Sequence, residues 1–491
     1  MKISLIQKRK LKKFKSDKLR EECGVFGISN HEDASAIVAL GLHALQHRGQ
    51  EGAGIVTFDG DKFNGVRRPG LVGDNFNKPE IISRLPGRNA IGHVRYSTTG
   101  DSILKNIQPL FADLSVGGFA CAHNGNLTNA SMLRQKLVAD GSIFQTTSDT
   151  ETILQLVARS KRGPMVDKVI DALFQVQGAY SLVILTNKKL IGVRDPHGIR
   201  PLVLGDLNGA PVLASETCAL DIIGAKYVRD VENGEIVVIS ESGIDSIKPF
   251  PVVEERPCIF ERIYFARPDS IIDGKTVYVY RKNLGEQLAI ENRVNADVVI
   301  PVPDSGVPAA LGFAQKSNIP FELGIIRNHY VGRTFIEPTQ NIRQFGVKLK
   351  HSANRSYIEN KKVVLIDDSI VRGTTARKIV KMIYDAGAAE VHFGISCPPI
   401  THPDFYGIDT PDYDELIASK NTIKEMKESI GATSLFFLSL DGTYKAMGHD
   451  KRDNNTPQFT DHCFTGDYPT PLLDHDQGTV SKQYSLLTEK N

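Results

Sequence analysis

Hydrophobic patterning divides the chain into two textures. Between about residues 23 and 250, short apolar runs alternate with Gly-rich turns: GVFGIS, GAGIVTF, NAIGHVRYS, GGFACAHNG, AYSLVILTN, KLIGVRD and GEIVVIS. Runs of this length, bounded by glycine and polar residues, predict strands. Stretches at 33–46 and 149–160 predict helices among them. Many short strands with a few helices in one block imply an α+β layered domain. From about 256 the pattern changes: DVVIPV is followed by VPAALGFAQKSN, and KKVVLID by TARKIVKMIYDAGA, with EVHFGIS as a further strand. This alternation implies an α/β domain with a parallel sheet and crossover helices, and Gly387 is placed to end the second helix. The last forty residues (NNTPQ, DHDQG) are polar, which predicts a loosely ordered tail.

Composition narrows the class. The 491 residues are 41% hydrophobic and 24% charged, too apolar for a disordered chain. At ~100–200 residues per domain, two to four domains are expected. No apolar run approaches the ~18–20 residues of a spanning helix, so no membrane partner is expected. The 59 basic residues nearly balance the 57 acidic ones, but residues 1–22 alone hold nine basic and three acidic. The remainder carries 50 against 54, and a mildly acidic body gives no electrostatic footing for nucleic acid. The basic leader has no apolar core, so it is not a secretory signal; few hydroxyls and more Lys than Arg make a poor transit peptide. Six cysteines lie far apart without a Cys-x-x-Cys pair, which fits a reduced, cytoplasmic protein.

Candidate chemistry begins at Cys23 in EECGVFGI, directly after the charged leader. A thiol at a strand start is commonly a small buried hydrophobe. Cleavage after Glu22, however, makes Cys23 an N-terminal residue whose α-amine (reference pKa about 7.7–8.0) can accept the thiol proton. Residues 1–22 then form a propeptide that blocks the amine. In HNGN (123–126), the Asn124 amide and the Gly125 N–H can hold an oxyanion, although Asn-Gly by itself also reads as a hairpin turn. Arg95 can bind a substrate carboxylate and Asp149 an ammonium; singly, each also reads as a surface or cap residue.

In the second half, the apolar run Val363–Ile366 delivers Asp367 and Asp368 to its C-terminal end, where ligands bind in open α/β folds. The loop Ser369–Thr375 then opens a helix, offering N–H groups and the Thr374 and Thr375 hydroxyls to a phosphate. The paired carboxylates suit ribose hydroxyls and Mg²⁺. No G-x-x-x-x-G-K-[ST] string is present, which excludes an ATP-type P-loop.

CGVFGI, LQHRGQEGAGI, GHVRYSTTG, HNGNL and SDTE together resemble the glutamine amidotransferases of the N-terminal-nucleophile (Ntn) hydrolase type. That resemblance implies a four-layer αββα sandwich. It also implies Cys23 as nucleophile, Asn124 and Gly125 as oxyanion donors, and Arg95 and Asp149 as glutamine ligands. KKVVLIDDSIVRGTTARKIV resembles the 5-phosphoribosyl 1-pyrophosphate (PRPP) signature of type I phosphoribosyltransferases, implying PRPP contacts from Asp367, Asp368, Ser369, Arg372, Gly373, Thr374 and Thr375. VPDSGVPAA fits an earlier loop of that fold, pointing Asp304 and Ser305 at the same edge, with Ser305 joining Asp367 and Asp368 as Mg²⁺ ligands. RNHYVGRTFI resembles the mobile loop that closes over pyrophosphate, with Arg333 facing the leaving charge and Lys350 as a helper.

In this order, the two halves resemble the amidophosphoribosyltransferase family. The implied reaction releases ammonia from glutamine and passes it to C1 of PRPP, giving 5-phosphoribosylamine at the first committed step of purine synthesis. The resemblance further implies an internal ammonia passage, inhibition by purine nucleotides, and a homotetramer or homodimer. Expected limits are 1–22 propeptide, 23–255 glutaminase, 256–450 phosphoribosyltransferase and 451–491 tail. One departure stands out: members with a cleaved leader often carry a four-Cys [4Fe–4S] cluster. Here Asp404, Pro457 and Thr460 stand at ligand positions, so no cluster is expected and Cys258, Cys397 and Cys463 read as ordinary, scattered thiols. Three rivals are another Ntn-type amidotransferase, a non-catalytic PRPP sensor, and an amidotransferase that has lost activity. The PRPP string argues against the first, the complete glutaminase set against the second, and no residue loss supports the third.

Overall fold

The computed structural model describes residues 23–96, 104–327, 351–408, 410 and 412–474. In the first half two antiparallel sheets face each other. One has seven strands in the order Lys226–Asp230, Val203–Leu207, Ala210–Ala214, Gly24–Ile28, Asn89–Arg95, Gly52–Phe58 and Phe63–Pro69. The other has six: Gly243–Ile247, Ile236–Ser240, Leu190–Arg194, Gly178–Thr186, Gly117–Leu127 and Leu110–Leu114.

The period of two along a strand explains the layering. Val25 points between the sheets with Ile91, Ala120 and Val183. Phe26 and Ile28 point the other way, onto Val38 and Leu42 of the helix Ala34–Ala44. On the second sheet, Phe119, Cys121 and Leu182 pack against Ile153, Val157 and Val169 of the helices Thr150–Arg159 and Met165–Leu173. Both faces of both sheets are therefore covered, which is the αββα sandwich expected from the sequence.

In the second half, strands Val298–Pro301, Lys362–Asp367, Glu390–Ile395 and Ser434–Phe437 form a parallel sheet in that order. Helices Val307–Ser317 and Thr374–Asp385 provide the crossovers. The second ends at Gly387, whose φ of +99° only glycine adopts readily, and Ala388 N–H reaches back to the Ile383 carbonyl at 3.3 Å. Among the described residues, no helix is long and apolar enough to cross a membrane.

The expected loose tail needs correction over 452–474. Phe459, Thr460, Asp461, His462 and Cys463 are all buried. The polar composition of this stretch reflects paired charges rather than solvation: Arg452 Nε–H donates to Asp461 at 2.7 Å and Arg256 Nη2–H to Asp467 at 3.1 Å. Further on, the Asp474 carboxylate accepts from Ser131 N–H (2.7 Å) and Met132 N–H (3.0 Å), capping a helix of the first half.

Candidate active site

Cys23 immediately precedes the central strand Gly24–Ile28 and is buried. Its Sγ lies 3.8 Å from the Tyr96 carbonyl, at the end of the adjacent strand. The next residue along its strand, Gly24, pairs with Val94, so Arg95 ends its strand on the same edge. Gly49 of the HRG turn packs so tightly there that a Cβ would sit 2.6 Å from Arg95 N. The sequence motifs around Cys23, Arg48–Gly49 and Arg95 thus converge through strand pairing and a glycine contact.

Asn124 and Gly125 lie on the strand Gly117–Leu127 of the facing sheet. Gly125 has φ +134°, and a Cβ there would meet the Ala179 carbonyl at 2.1 Å, so this position admits only glycine. Asn124 is fully buried, yet neither Nδ2 nor Oδ1 has a hydrogen-bond partner among the described residues. An unsatisfied buried amide costs about 1–3 kcal/mol, which is expected of a group kept for a ligand. The hairpin alternative is excluded, because this Asn-Gly sits within a strand.

Neighbours that the motifs did not single out hold this strand in place. His123 N–H donates to Gln108 Oε1 at 2.8 Å, and its ring Nδ1 lies 3.1 Å from Thr150 Oγ1. His93 Nε2 lies 3.1 Å from the His123 carbonyl. Burial, with Arg95 nearby, pulls the His93 pKa down to about 3, so this ring is neutral. Asp149 takes the cap reading and adds a contact across to the facing strand. It caps the helix Thr150–Arg159 through Thr150 N–H (2.9 Å), and its other oxygen accepts from Leu127 N–H at 3.0 Å, beside the Asn124–Gly125 pair.

In the second half, Asp367 ends its strand and Asp368 follows; both carboxylates are buried. Asp367 Oδ1 accepts from Asp368 N–H at 3.0 Å, and Ser369 Oγ–H donates to Asp368 Oδ1. Gly373 turns the chain with φ +74°, and Thr374 and Thr375 open the helix. Asp367, Asp368, Ser369 and Thr375 line one small cleft with Ile370, Val371 and Ala376. Arg372 pairs with Glu415.

The loop carrying Asp304 and Ser305 is pressed onto the same strand end: a Cβ on Gly306 would lie 2.5 Å from the Ile366 carbonyl and 3.3 Å from Asp367 Cα. Ser305 Oγ is buried without a partner among the described residues, whereas Asp304 is exposed and pairs with Arg327. Two adjacent carboxylates and an unpartnered hydroxyl are hard oxygen donors of the kind Mg²⁺ takes, so the residues fit that ion. Arg333 and Lys350 lie outside the described residues.

The supposedly scattered thiols are corrected in part. Cys258 bridges to Thr460 by backbone pairing, and burial, then Asp404 and Cys258, push the Cys463 thiol well up from its ordinary range. Asp404 is buried beside His462, with Oδ2 2.7 Å from Nε2, while Oδ1 accepts from the N–H groups of Tyr406 (2.8 Å) and Ile408 (2.7 Å). Burial opposes its ionisation, but His462, then Arg200 and the Ile408 N–H, outweigh it and hold the carboxyl below its usual range. Asp404, Thr460, Cys258 and Cys463 thus form one compact neighbourhood. Cys397 is separate, its thiol raised by burial and then by Asp368 and Asp367.

Comparison with known proteins agrees with this two-part arrangement. A glutamine amidotransferase domain family matches residues 93–221 and a phosphoribosyl transferase domain family matches residues 283–415. The amidophosphoribosyltransferase of Rhizobium etli is 60% identical over 477 residues, 96% of each chain. That of Bacillus subtilis is 51% identical, covering 92% of this chain and 95% of the relative. The solved B. subtilis glutamine PRPP amidotransferase complexed with ADP and GMP matches with a TM-score of 0.87 at 50% identity, over 92% of this chain and 98% of that one. With an Ntn-type glutaminase half joined to a phosphoribosyltransferase half over nearly its whole length, the chain belongs to the amidophosphoribosyltransferase family.

Proposed function

We propose that this chain hydrolyses glutamine at Cys23 and transfers the ammonia to C1 of PRPP, forming 5-phosphoribosylamine and pyrophosphate, at the start of purine synthesis. The observation that carries the reading is Asn124, a fully buried amide with no partner among the described residues, beside a position that only glycine can fill. Removal of 1–22 frees the Cys23 amine, which takes the thiol proton; the thiolate attacks the glutamine side-chain carbonyl. Asn124 Nδ2–H and Gly125 N–H receive the oxyanion, and Arg95 and Asp149 hold the substrate's α-carboxylate and α-ammonium. The protonated amine returns its proton to the departing ammonia, and water then releases glutamate from the thioester.

In the second half, the Ser369–Thr375 loop holds the 5-phosphate and Asp367 and Asp368 the ribose hydroxyls. Ser305, Asp367 and Asp368 would hold Mg²⁺, which would supply positive charge to neutralise pyrophosphate. Arg333 is assigned to neutralise the departing pyrophosphate charge, with Lys350 as a helper. Purine nucleotides as inhibitors, a dimer or tetramer, and a cytoplasmic location complete the proposal. The proposed domain limits are 1–22, 23–255 and 256–450, with 451–491 as a C-terminal segment.

Glutamate release, measured with and without PRPP and Mg²⁺ on protein whose N-terminus has been checked by mass, tests the assignment. Stimulation by at least about fivefold, the lower end of ordinary site-to-site coupling, is expected. Glutaminase activity indifferent to PRPP overturns the pairing of the two reactions. Protein purified without oxygen is also expected to contain neither stoichiometric iron nor acid-labile sulfide; finding both restores a cluster.

A further inference from the structure

A buried charge cluster lies directly behind Cys23 and joins the two halves. Arg48, 1% exposed, donates Nε–H to the Cys23 carbonyl at 3.4 Å. The same guanidinium donates to both oxygens of Glu261, at 2.6 Å (Oε1) and 3.0 Å (Oε2), and also to Glu216. Glu261 stands at the entry to the second half and is itself buried. Arg200, fully buried, donates Nη1–H to Glu261 Oε1 at 3.2 Å and Nη2–H to the Tyr406 carbonyl at 3.1 Å. One residue earlier, the Phe405 carbonyl accepts from Asn126 Nδ2–H at 2.8 Å, two positions from Asn124.

A bidentate guanidinium–carboxylate pair fixes direction as well as distance, and burial protects it from screening by salt. The contacts on Glu261 are more than core filling, since they end on the main chain of the nucleophile on one side and on the 405–406 segment on the other. We infer that Glu261 is a positioning residue: through Arg48 it sets the main-chain geometry of Cys23, so that the second half determines how well the nucleophile is aimed. This rests on the proposed role of Cys23. A displacement of about 1 Å at a reacting centre can cost about 10²-fold in rate.

The test is Glu261→Gln, which keeps the shape of the side chain and removes its charge. Glutamine-dependent kcat is expected to fall by about 10- to 100-fold, with KM for glutamine within about twofold. Ammonia-dependent synthesis is expected to stay near the parent rate, and alkylation of Cys23 by an electrophilic glutamine analogue to slow in step with kcat. A purely structural role predicts instead that both nitrogen sources lose activity together, and that outcome overturns the inference. So does unchanged glutamine-dependent kcat.

Removing one buried charge leaves its partners uncompensated, which can prevent folding. The double variant Arg200→Gln/Glu261→Gln removes one cation and one anion together, and the same split between nitrogen sources is required of it. Cys23→Ser serves as the control. If that variant keeps glutamine use, the nucleophile reading fails and this inference with it; if it is inactive while the Glu261 variants behave like the parent, the inference alone fails.

Discussion

Cys23→Ser is expected to lower glutamine-dependent phosphoribosylamine formation by more than about 10³-fold, because it removes the group that forms the covalent intermediate. Serine keeps the size and position of the side chain, and Asn124, Gly125 and Arg95 stay where they are. What changes is nucleophilicity. A thiol with an ordinary pKa of about 8.5 shares its proton readily with an α-amine near 7.7–8.0, and a serine hydroxyl does not. Ammonia-dependent synthesis is expected to persist, since PRPP would be held by the strand end at Asp367 on a separate sheet. Rates with glutamine and with ammonium salt, measured on protein of verified N-terminus, decide the matter. Loss of both activities refutes separate sites, and retained glutamine use removes Cys23 from the chemistry.

The fold and most of the candidate site were legible because their signals are local. Strand period, Gly387 as a helix end, and the strand–carboxylate–loop–helix string at 363–375 each lie within about twenty residues, where periodicity and turn chemistry operate. What escaped was nonlocal. Arg48 was visible within LQHRGQEGAGI, but Glu261, 213 residues further on, carries no pattern that marks it as the partner. Gln108, whose side chain accepts from His123 N–H, is likewise anonymous in sequence. The 452–474 segment misled for a related reason. Composition counts charges without showing that Arg452 pairs with a buried Asp461 and Arg256 with Asp467. The engagement of Asp404 with His462 is equally nonlocal: the two lie 58 positions apart, and no local pattern marks either as the other's partner at 2.7 Å.

Asp367→Asn should impair PRPP use with either nitrogen source, the opposite split from Cys23→Ser. The substitution is nearly isosteric, and the Asp368 N–H bond can still be accepted by the amide oxygen. The lost quantity is therefore charge. A hydrogen bond to a charged group contributes about 1.5–3 kcal/mol, equivalent to about 10- to 100-fold in kcat/KM for PRPP. The amide also replaces one of two adjacent carboxylate donors near Ser305, whose hydroxyl has no partner among the described residues, so the Mg²⁺ concentration for half-maximal activity should rise as well. Basal glutaminase activity without PRPP should be unchanged, whereas its stimulation by PRPP should require correspondingly more PRPP. Steady-state kinetics with glutamine and with ammonia, each titrated in PRPP and Mg²⁺, separate these effects. Unchanged PRPP kinetics remove Asp367 from the site and leave the cleft at Ser369–Thr375 to be explained by another ligand.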